Sequence, residues 1–131
     1  MNGPVPHIAI VDDEEPVRKA LGRLLEASGL EVACYAGGRD FLDECMRRRF
    51  DCVVLDLHMP GMSGLQVLAE LRRRRPPIPA IVVTAHNAAE TRAQCFAAGA
   101  AEFLRKPLDE RVLRDAISAC LHSPRLTENH S

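Results

Sequence analysis

Five short apolar runs alternate with longer segments of helical period along the chain, and this alternation restricts the fold more than any other feature. The runs lie at 8–11, 31–35, 52–55, 80–83 and 101–104. After each of them, apolar residues recur at the three- and four-residue spacing of an amphipathic helix. Strict alternation of strands and helices predicts an α/β fold with a parallel sheet. The apolar character of the strand runs predicts that both faces of this sheet are covered by helices.

Local signals mark the ends of several predicted helices. Pro16 suits the first turn of the first helix, and Gly29 is suited to follow its last turn. Gly99 is expected to close an alanine-rich helix over 88–98, and Asp109 is expected to cap the last helix. The second and third helices end in arginine runs at 47–49 and 72–75, where cations complement the helix dipole.

Length and composition predict one globular domain over residues 1–131, with a core at about 7–122 and a polar tail or the start of a linker at 123–131. The net charge of -1 gives no basic excess of the kind that unaided DNA binding requires. No apolar run is long enough to span a membrane, so we expect no membrane association and a cytoplasmic location. The five cysteines lack metal-binding spacing, which predicts reduced and mostly buried thiols.

Chemically competent side chains stand at four of the predicted strand ends. Asp12 and Asp13 follow the first strand, Asp56 the third, Thr84 the fourth and Lys106 the fifth. In open α/β sheets the site lies at the carboxyl ends of the strands, so these side chains are expected to meet. Clustered carboxylates repel one another, and a hard cation such as Mg²⁺ relieves that repulsion. A cation, a carboxylate nucleophile and an ammonium group together suit phosphoryl transfer.

Four motifs resemble the signature blocks of CheY-like receiver domains of two-component response regulators. They are IVDDE at 10–14, VLDLHMPGMSG at 54–64, VVTA at 82–85 and FLRKP at 103–107. The resemblance covers roughly residues 7–122 and implies a doubly wound, flavodoxin-like sheet of strand order 2-1-3-4-5 with five flanking helices. The segments at 24–29 and 35–42 are most similar to FixJ-type receivers.

The resemblance implies a role for each strand-end acid. Asp56 matches the phosphoacceptor, Asp13 the acid that binds the metal directly, and Asp12 the acid that acts through water. The backbone carbonyl of His58 matches the third protein ligand of Mg²⁺, for which Mn²⁺ can substitute. The His58 side chain is either a solvent-facing residue or one that alters the lifetime of the aspartyl phosphate. Comparing the dephosphorylation rates of wild type and His58→Asn separates these alternatives.

Four further positions carry implied roles. Thr84 and Lys106 match the residues that bind the oxygens of the phosphoryl group. Phe103 matches the aromatic switch residue, which turns inward as Thr84 is drawn towards the phosphate. The Lys106–Pro107 peptide bond matches one that is usually cis in the family.

The resemblance therefore predicts a phosphoacceptor signalling domain that catalyses its own phosphoryl transfer and autodephosphorylation, and not an enzyme acting on a separate substrate. The expected partner is a sensor histidine kinase. The face formed by the fourth helix, the fifth strand and the fifth helix is expected to form a homodimer or to meet an output domain. Transcription control through a separate DNA-binding domain is expected, with DNA contacted only through that domain. A stand-alone regulator and a non-phosphorylated binding module are the alternatives.

Two unrelated classes fit the motifs less well. A phosphatase of the haloacid dehalogenase kind needs a second acid two residues after its nucleophile, where this chain has His58. A flavodoxin needs a Ser/Thr/Gly-rich phosphate loop after the first strand, where this chain has four consecutive acids at 12–15. Such a loop repels an anion and attracts a cation.

Overall fold

Five strands and five helices alternate in the computed structural model, which describes residues 4–85 and 89–122. In chain order they are β1 (His7–Val11), α1 (Glu15–Ala27), β2 (Glu31–Tyr35), α2 (Gly38–Cys45), β3 (Cys52–Asp56), α3 (Gly64–Leu71), β4 (Ala80–Thr84), α4 (Ala89–Ala97), β5 (Glu102–Arg105) and α5 (Glu110–His122). The expected tail at 123–131 lies outside the described residues.

The sheet is fully parallel and has the strand order β2-β1-β3-β4-β5, which confirms the predicted topology. The two strands β3 and β4 are buried along their whole length, as their β-branched sequences require. Ile10 of β1 lies beside Val54 of β3, and Val54 lies beside Ile81 of β4. This register brings the carboxyl ends of the central strands to the same edge of the sheet.

Helices cover both faces of the sheet and enclose two separate cores. On one face α1 and α5 bury Leu25 and Leu113 against the sheet. On the other face α2 and α3 contribute Phe41 and Leu68. Because both faces are filled with apolar side chains, polar groups of the central strands reach solvent only at the strand ends.

The predicted helix ends are confirmed where local chemistry marks them. Gly29 follows α1 with a φ of 89°, and the Leu30 N–H donates to the Leu25 carbonyl at 3.2 Å, which is the Schellman arrangement. Gly99 closes α4 in the same way, with a φ of 107°. Asp109 caps α5, since its Oδ1 accepts the Arg111 N–H at 2.8 Å. These ends are specified by the sequence itself.

A few details differ from the sequence-based expectations. β5 begins at Glu102 and not at Ala101, because pairing with β4 starts where Glu102 lies beside Ile81. Of the five free cysteines three are buried, but Cys34 is exposed because β2 is an edge strand. Across the described ranges, no helix has the length and apolarity needed to cross a membrane.

Candidate functional site

The strand order explains why residues distant in sequence meet at one edge of the sheet. Asp12 directly follows β1, Asp56 and Thr84 are the last residues of β3 and β4, and Lys106 directly follows β5. These four strands are consecutive neighbours in the sheet. The N–H of Lys106 donates to the carbonyl of Thr84 at 2.8 Å and fixes the start of the β5–α5 loop at this edge.

Three carboxylates form a compact cluster, which we call the acidic pocket: Asp12, Asp13 and Asp56. Each offers one oxygen, and these oxygens all lie within 4.8 Å of one another. Asp12 is 1% exposed and Asp56 is 5% exposed, whereas Asp13 lies open to solvent. Two nearly buried acids and one exposed acid at this separation have the donor chemistry of a site for a hard divalent cation.

Lys106 supplies the positive charge that faces the acidic pocket. Its Nζ lies 3.1 Å from Asp12 Oδ2, 3.5 Å from Asp56 Oδ1 and 3.6 Å from Glu14 Oε1. Burial works against the ammonium charge, but the hydrogen bond to Asp12 and the surrounding carboxylates outweigh it. The pKa of Lys106 is therefore raised, and the side chain stays charged at neutral pH.

The acidic pocket raises the pKa of Asp56, whereas a simple ion pair with a cation would lower it. Burial and the neighbouring Asp12 carboxylate raise its pKa from 3.8 to about 6, against the lowering effects of Lys106 and of a backbone hydrogen bond from His58. Burial and neighbouring carboxylates both disfavour the ionised form of Asp56, and the positive charge nearby is too small to offset them. One ammonium group does not compensate for the cluster.

The start of α1 holds Asp12 in place. Asp12 Oδ1 accepts the N–H of Glu14 at 2.9 Å, and its backbone carbonyl accepts Arg18 Nη1 at 2.7 Å. The Asp12 N–H donates to the Tyr35 carbonyl at 3.1 Å at the end of β2. Because its backbone and one side-chain oxygen are engaged, Asp12 presents its other oxygen in a fixed direction, towards Lys106.

The loop after Asp56 returns tightly to the strand end. The Gly64 N–H donates to the Leu57 carbonyl at 2.9 Å, and a Cβ at Gly64 would lie only 2.8 Å from the Asp56 carbonyl oxygen. Ser63 and Gln66 form a reciprocal capping box that starts α3 at this point. The glycine thus permits α3 to begin against the backbone of the candidate phosphoacceptor, while the His58 side chain stays exposed.

The remaining residues named from the sequence are Thr84 at the end of β4, Phe103 within β5, and the peptide bond between Lys106 and Pro107 after β5. Thr84 is fully buried, and Phe103 is 6% exposed with the Arg92 guanidinium 5.7 Å from its ring centroid. The Lys106–Pro107 peptide bond is cis. The Phe103 ring is therefore buried in this structure, with Arg92 of α4 beside it.

Glu14 and Gly64 belong to the site although the sequence-based predictions give neither of them a role. Glu14 contacts Lys106, and its place in the acidic run after β1 could have indicated this. Gly64 directly follows the α3 cap, but close backbone approach to Asp56 depends on how α3 packs, which no local signal gives.

A five-stranded sheet of this order with an acidic pocket and a lysine at its carboxyl edge defines a CheY-like receiver. The family described as response regulator receiver domain matches residues 8–118, and the chain belongs to this family.

Curated relatives support the assignment. The chain is 38% identical over 114 residues to the transcriptional regulatory protein FixJ of Azorhizobium caulinodans, covering 87% of this chain and 54% of the relative. It is 35% identical over 129 residues to the response regulator protein TodT of Pseudomonas putida, covering 92% and 57%. The chain thus spans about half the length of the curated relatives that it matches.

Solved structures show the same fold. The crystal structure of FixJ-N superposes with a TM-score of 0.84 at 34% identity, covering 93% of this chain and 98% of that one. The chemotaxis protein CheY4 of Vibrio cholerae gives a TM-score of 0.84 at 26% identity, covering 90% and 100%.

Proposed function

We propose that this receiver accepts a phosphoryl group from a sensor histidine kinase onto Asp56 and that phosphorylation controls an output. The observation that carries the proposal is the surroundings of Asp56. One of its oxygens lies 3.5 Å from Lys106 Nζ, within the three-carboxylate acidic pocket. Asp56 thus provides a nucleophile, and Lys106 provides a cationic group that can bind the oxygens of the transferred phosphoryl group.

In the proposed reaction, a carboxylate oxygen of Asp56 attacks the phosphorus of a phosphohistidine in line. The new P–O bond forms as the P–N bond breaks, and the imidazole leaves with its electron pair. With a pKa of about 6, Asp56 is mostly ionised at neutral pH and available as the nucleophile. Lys106 and Thr84 then bind oxygens of the phosphoryl group.

The acidic pocket fits a divalent cation, in keeping with a receiver that requires Mg²⁺ or Mn²⁺. Asp13 and Asp56 would hold the ion directly, with Asp12 acting through water and the His58 carbonyl completing the protein ligands. When bound, the cation neutralises charge on the phosphoryl oxygens and on the acids. The raised pKa of Asp56 supports this fit, since it reflects burial and uncompensated neighbouring charge.

The proposed response is a population shift involving Thr84, Phe103 and α4. Engagement of Thr84 by the phosphoryl group would stabilise the buried position that Phe103 already has in this structure and would alter the face formed by α4, β5 and α5. That face would then form a homodimer or contact an output domain. The name of the relative FixJ, a transcriptional regulatory protein, favours transcription control as the output, with DNA contacted through another domain.

Phosphorylation is tested by intact-protein mass spectrometry after incubation with acetyl phosphate and Mg²⁺. We expect wild type to gain the mass of one phosphoryl group and Asp56→Asn to gain none. Asp43→Asn, which alters an exposed acid on α2, serves as a matched control and should be modified like wild type. If the wild-type protein is not modified, the result would contradict phosphotransfer and support the alternative of a non-phosphorylated binding module.

The output is tested by detecting the native protein with antibodies raised against this chain. A transcription regulator of the FixJ kind should give a band of about 1.6 times the 14.4 kDa of this sequence, since the 114 matched residues make up 54% of that relative, which corresponds to a length of about 211 residues. A single band near 14.4 kDa would instead support the stand-alone regulator.

A further inference from the structure

A cavity of about 320 Å³ opens at the end of the molecule opposite Asp56, between the carboxyl ends of α2 and α3. We call it the arginine pocket, because five of its lining residues are arginines: Arg47, Arg48, Arg49, Arg74 and Arg75. Its remaining walls are largely apolar and include the buried Phe50 and the exposed Met46. The acidic pocket contributes nothing to it.

Some of these arginines serve the helix ends, as the dipole argument predicts. Arg74 Nη2 donates to the Leu42 carbonyl at 3.4 Å, and Arg75 Nη1 donates to the Arg72 carbonyl at 3.1 Å. Arg48 packs over the Phe50 ring at 4.9 Å from its centroid. These contacts orient the guanidinium groups, but carbonyl groups and an aromatic ring offset only part of their charge.

The negative charge around the arginine pocket is too small to balance it. Among the described residues, the single carboxylate in an ion pair with a lining arginine is Glu44, at 3.6 Å from Arg47. The ends of α2 and α3 add about half a negative charge each. Five guanidinium groups therefore face about two compensating charges. Arg74 Nε is moreover buried without a hydrogen-bond acceptor in the described structure.

The shape and chemistry of the arginine pocket favour a compact anion. Its volume lies at the lower end of the range typical of small-molecule sites. The planar guanidinium fork matches phosphate oxygens in a bidentate manner. The exposed Met46 and the neighbouring Pro76 provide an apolar margin for an attached organic group. A concave site of this size suits a small ligand better than the extended backbone of a nucleic acid.

We propose that the arginine pocket binds a small molecule carrying adjacent phosphates, of the class of a nucleoside diphosphate or inorganic pyrophosphate. Such a ligand supplies two or three negative charges in one place and offsets the excess of guanidinium charge. The site lies at the far end of the sheet from Asp56, so it constitutes a second input that is separate from phosphotransfer. Failure of the arginine pocket to bind such a ligand would therefore not contradict the proposed phosphorylation of Asp56.

Backbone amide chemical shifts of the full chain, titrated with ADP and separately with pyrophosphate in EDTA, test the proposal. EDTA prevents a metal from bridging the ligand to the acidic pocket. We expect saturable shifts at 45–50 and 72–78 with a dissociation constant below about 1 mM. Residues Asp12, Asp56 and Lys106 should be unaffected. Stronger binding of ADP than of pyrophosphate identifies a nucleotide, and equal binding identifies the phosphates alone as the determinant.

A double variant, Arg47→Gln with Arg49→Gln, should weaken binding by about tenfold or more, because charge-assisted hydrogen bonds are lost. Both side chains are exposed, so the fold should be retained, which thermal unfolding checks. The matched control Arg23→Gln with Arg111→Gln removes two exposed arginines elsewhere and should bind as wild type does. Equal weakening in both double variants would overturn a specific site. So would equal binding of unphosphorylated adenosine, or binding of an oligonucleotide without binding of ADP and pyrophosphate.

Discussion

At the scale of single residues, the site is governed by an imbalance between Lys106 and the carboxylates around it. One ammonium group contacts Asp12, Asp56 and Glu14. Because Asp12 and Asp56 are buried, water solvates their negative charges only weakly. Removing an acid and removing the lysine should therefore change stability in opposite directions. This difference in sign separates a true charge cluster from a set of ordinary surface ion pairs.

Asp56→Asn is expected to stabilise the metal-free protein at alkaline pH. The pKa of Asp56 is about 6 in the folded state and 3.8 when unperturbed, so folding favours its protonated form. That stabilising contribution is complete below pH 4 and is lost as the pH rises through 6, by about 3 kcal/mol at most. Urea unfolding in EDTA should show the variant more stable than wild type at pH 8, with the difference shrinking towards pH 4. Equal stability at pH 8 would contradict the charge imbalance.

Lys106→Gln is expected to destabilise the protein by about 2–3 kcal/mol at pH 7, because two nearly buried carboxylates lose their cation. Lys19→Gln is the matched control. Its ammonium group pairs with Glu15 at 3.5 Å with both side chains 65% exposed, so its loss should cost less than about 0.5 kcal/mol. Urea unfolding measures both. Similar losses in the two variants would show that the contacts of Lys106 are no stronger than those of a surface pair.

At the scale of elements, the junction between β3 and α3 has little tolerance for added volume. Gly64→Ala places a Cβ 2.8 Å from both the Asp56 carbonyl oxygen and Leu57 Cα, so backbone must shift. We expect a loss of about 1–3 kcal/mol and slower phosphorylation of Asp56, measured by thermal unfolding and by the acetyl phosphate reaction.

Gly22→Ala is a glycine-to-alanine control in a different setting. Gly22 lies inside α1, and a Cβ there meets only Cys34 Sγ at 3.8 Å, which is ordinary contact. Alanine favours a helix by about 1 kcal/mol over glycine, so this variant should be neutral or more stable. A destabilisation equal to that of Gly64→Ala would argue against close packing as the cause at Gly64.

Features that depend on neighbours in sequence could be predicted, and features that depend on packing could not. The Gly29 and Asp109 helix ends, the strand runs and the topology follow from local chemistry and a known family pattern. The contact of Glu14 with Lys106 joins residues from opposite ends of the chain. The arginine pocket likewise depends on the ends of α2 and α3 meeting, and the sequence by itself indicates only that each arginine run provides cations at a helix end.

At the scale of the whole molecule, cation binding at the acidic pocket should be coupled to global stability. A ligand that binds only the folded state stabilises it by about 2.7 kcal/mol at 100 times its dissociation constant. We therefore expect Mg²⁺ to raise the melting temperature of wild type. Asp13→Asn, which removes an exposed acid, should fold normally but show a much smaller increase. Identical Mg²⁺ effects on the two proteins would contradict binding at this pocket, and differential scanning calorimetry measures them.

The two ends of the sheet give the protein an electrical asymmetry that its net charge of -1 conceals. The acidic pocket lies at one end of the sheet and the arginine pocket at the other, separated by the roughly 17 Å length of a five-residue strand. These two clusters contribute a dipole along the strands, which should help to orient the protein in the field of a charged surface before contact. A cationic surface would meet the Asp56 end first, and an anionic surface would meet the opposite end. Orientation on approach is thus set by where the charges lie, and lower salt should strengthen it.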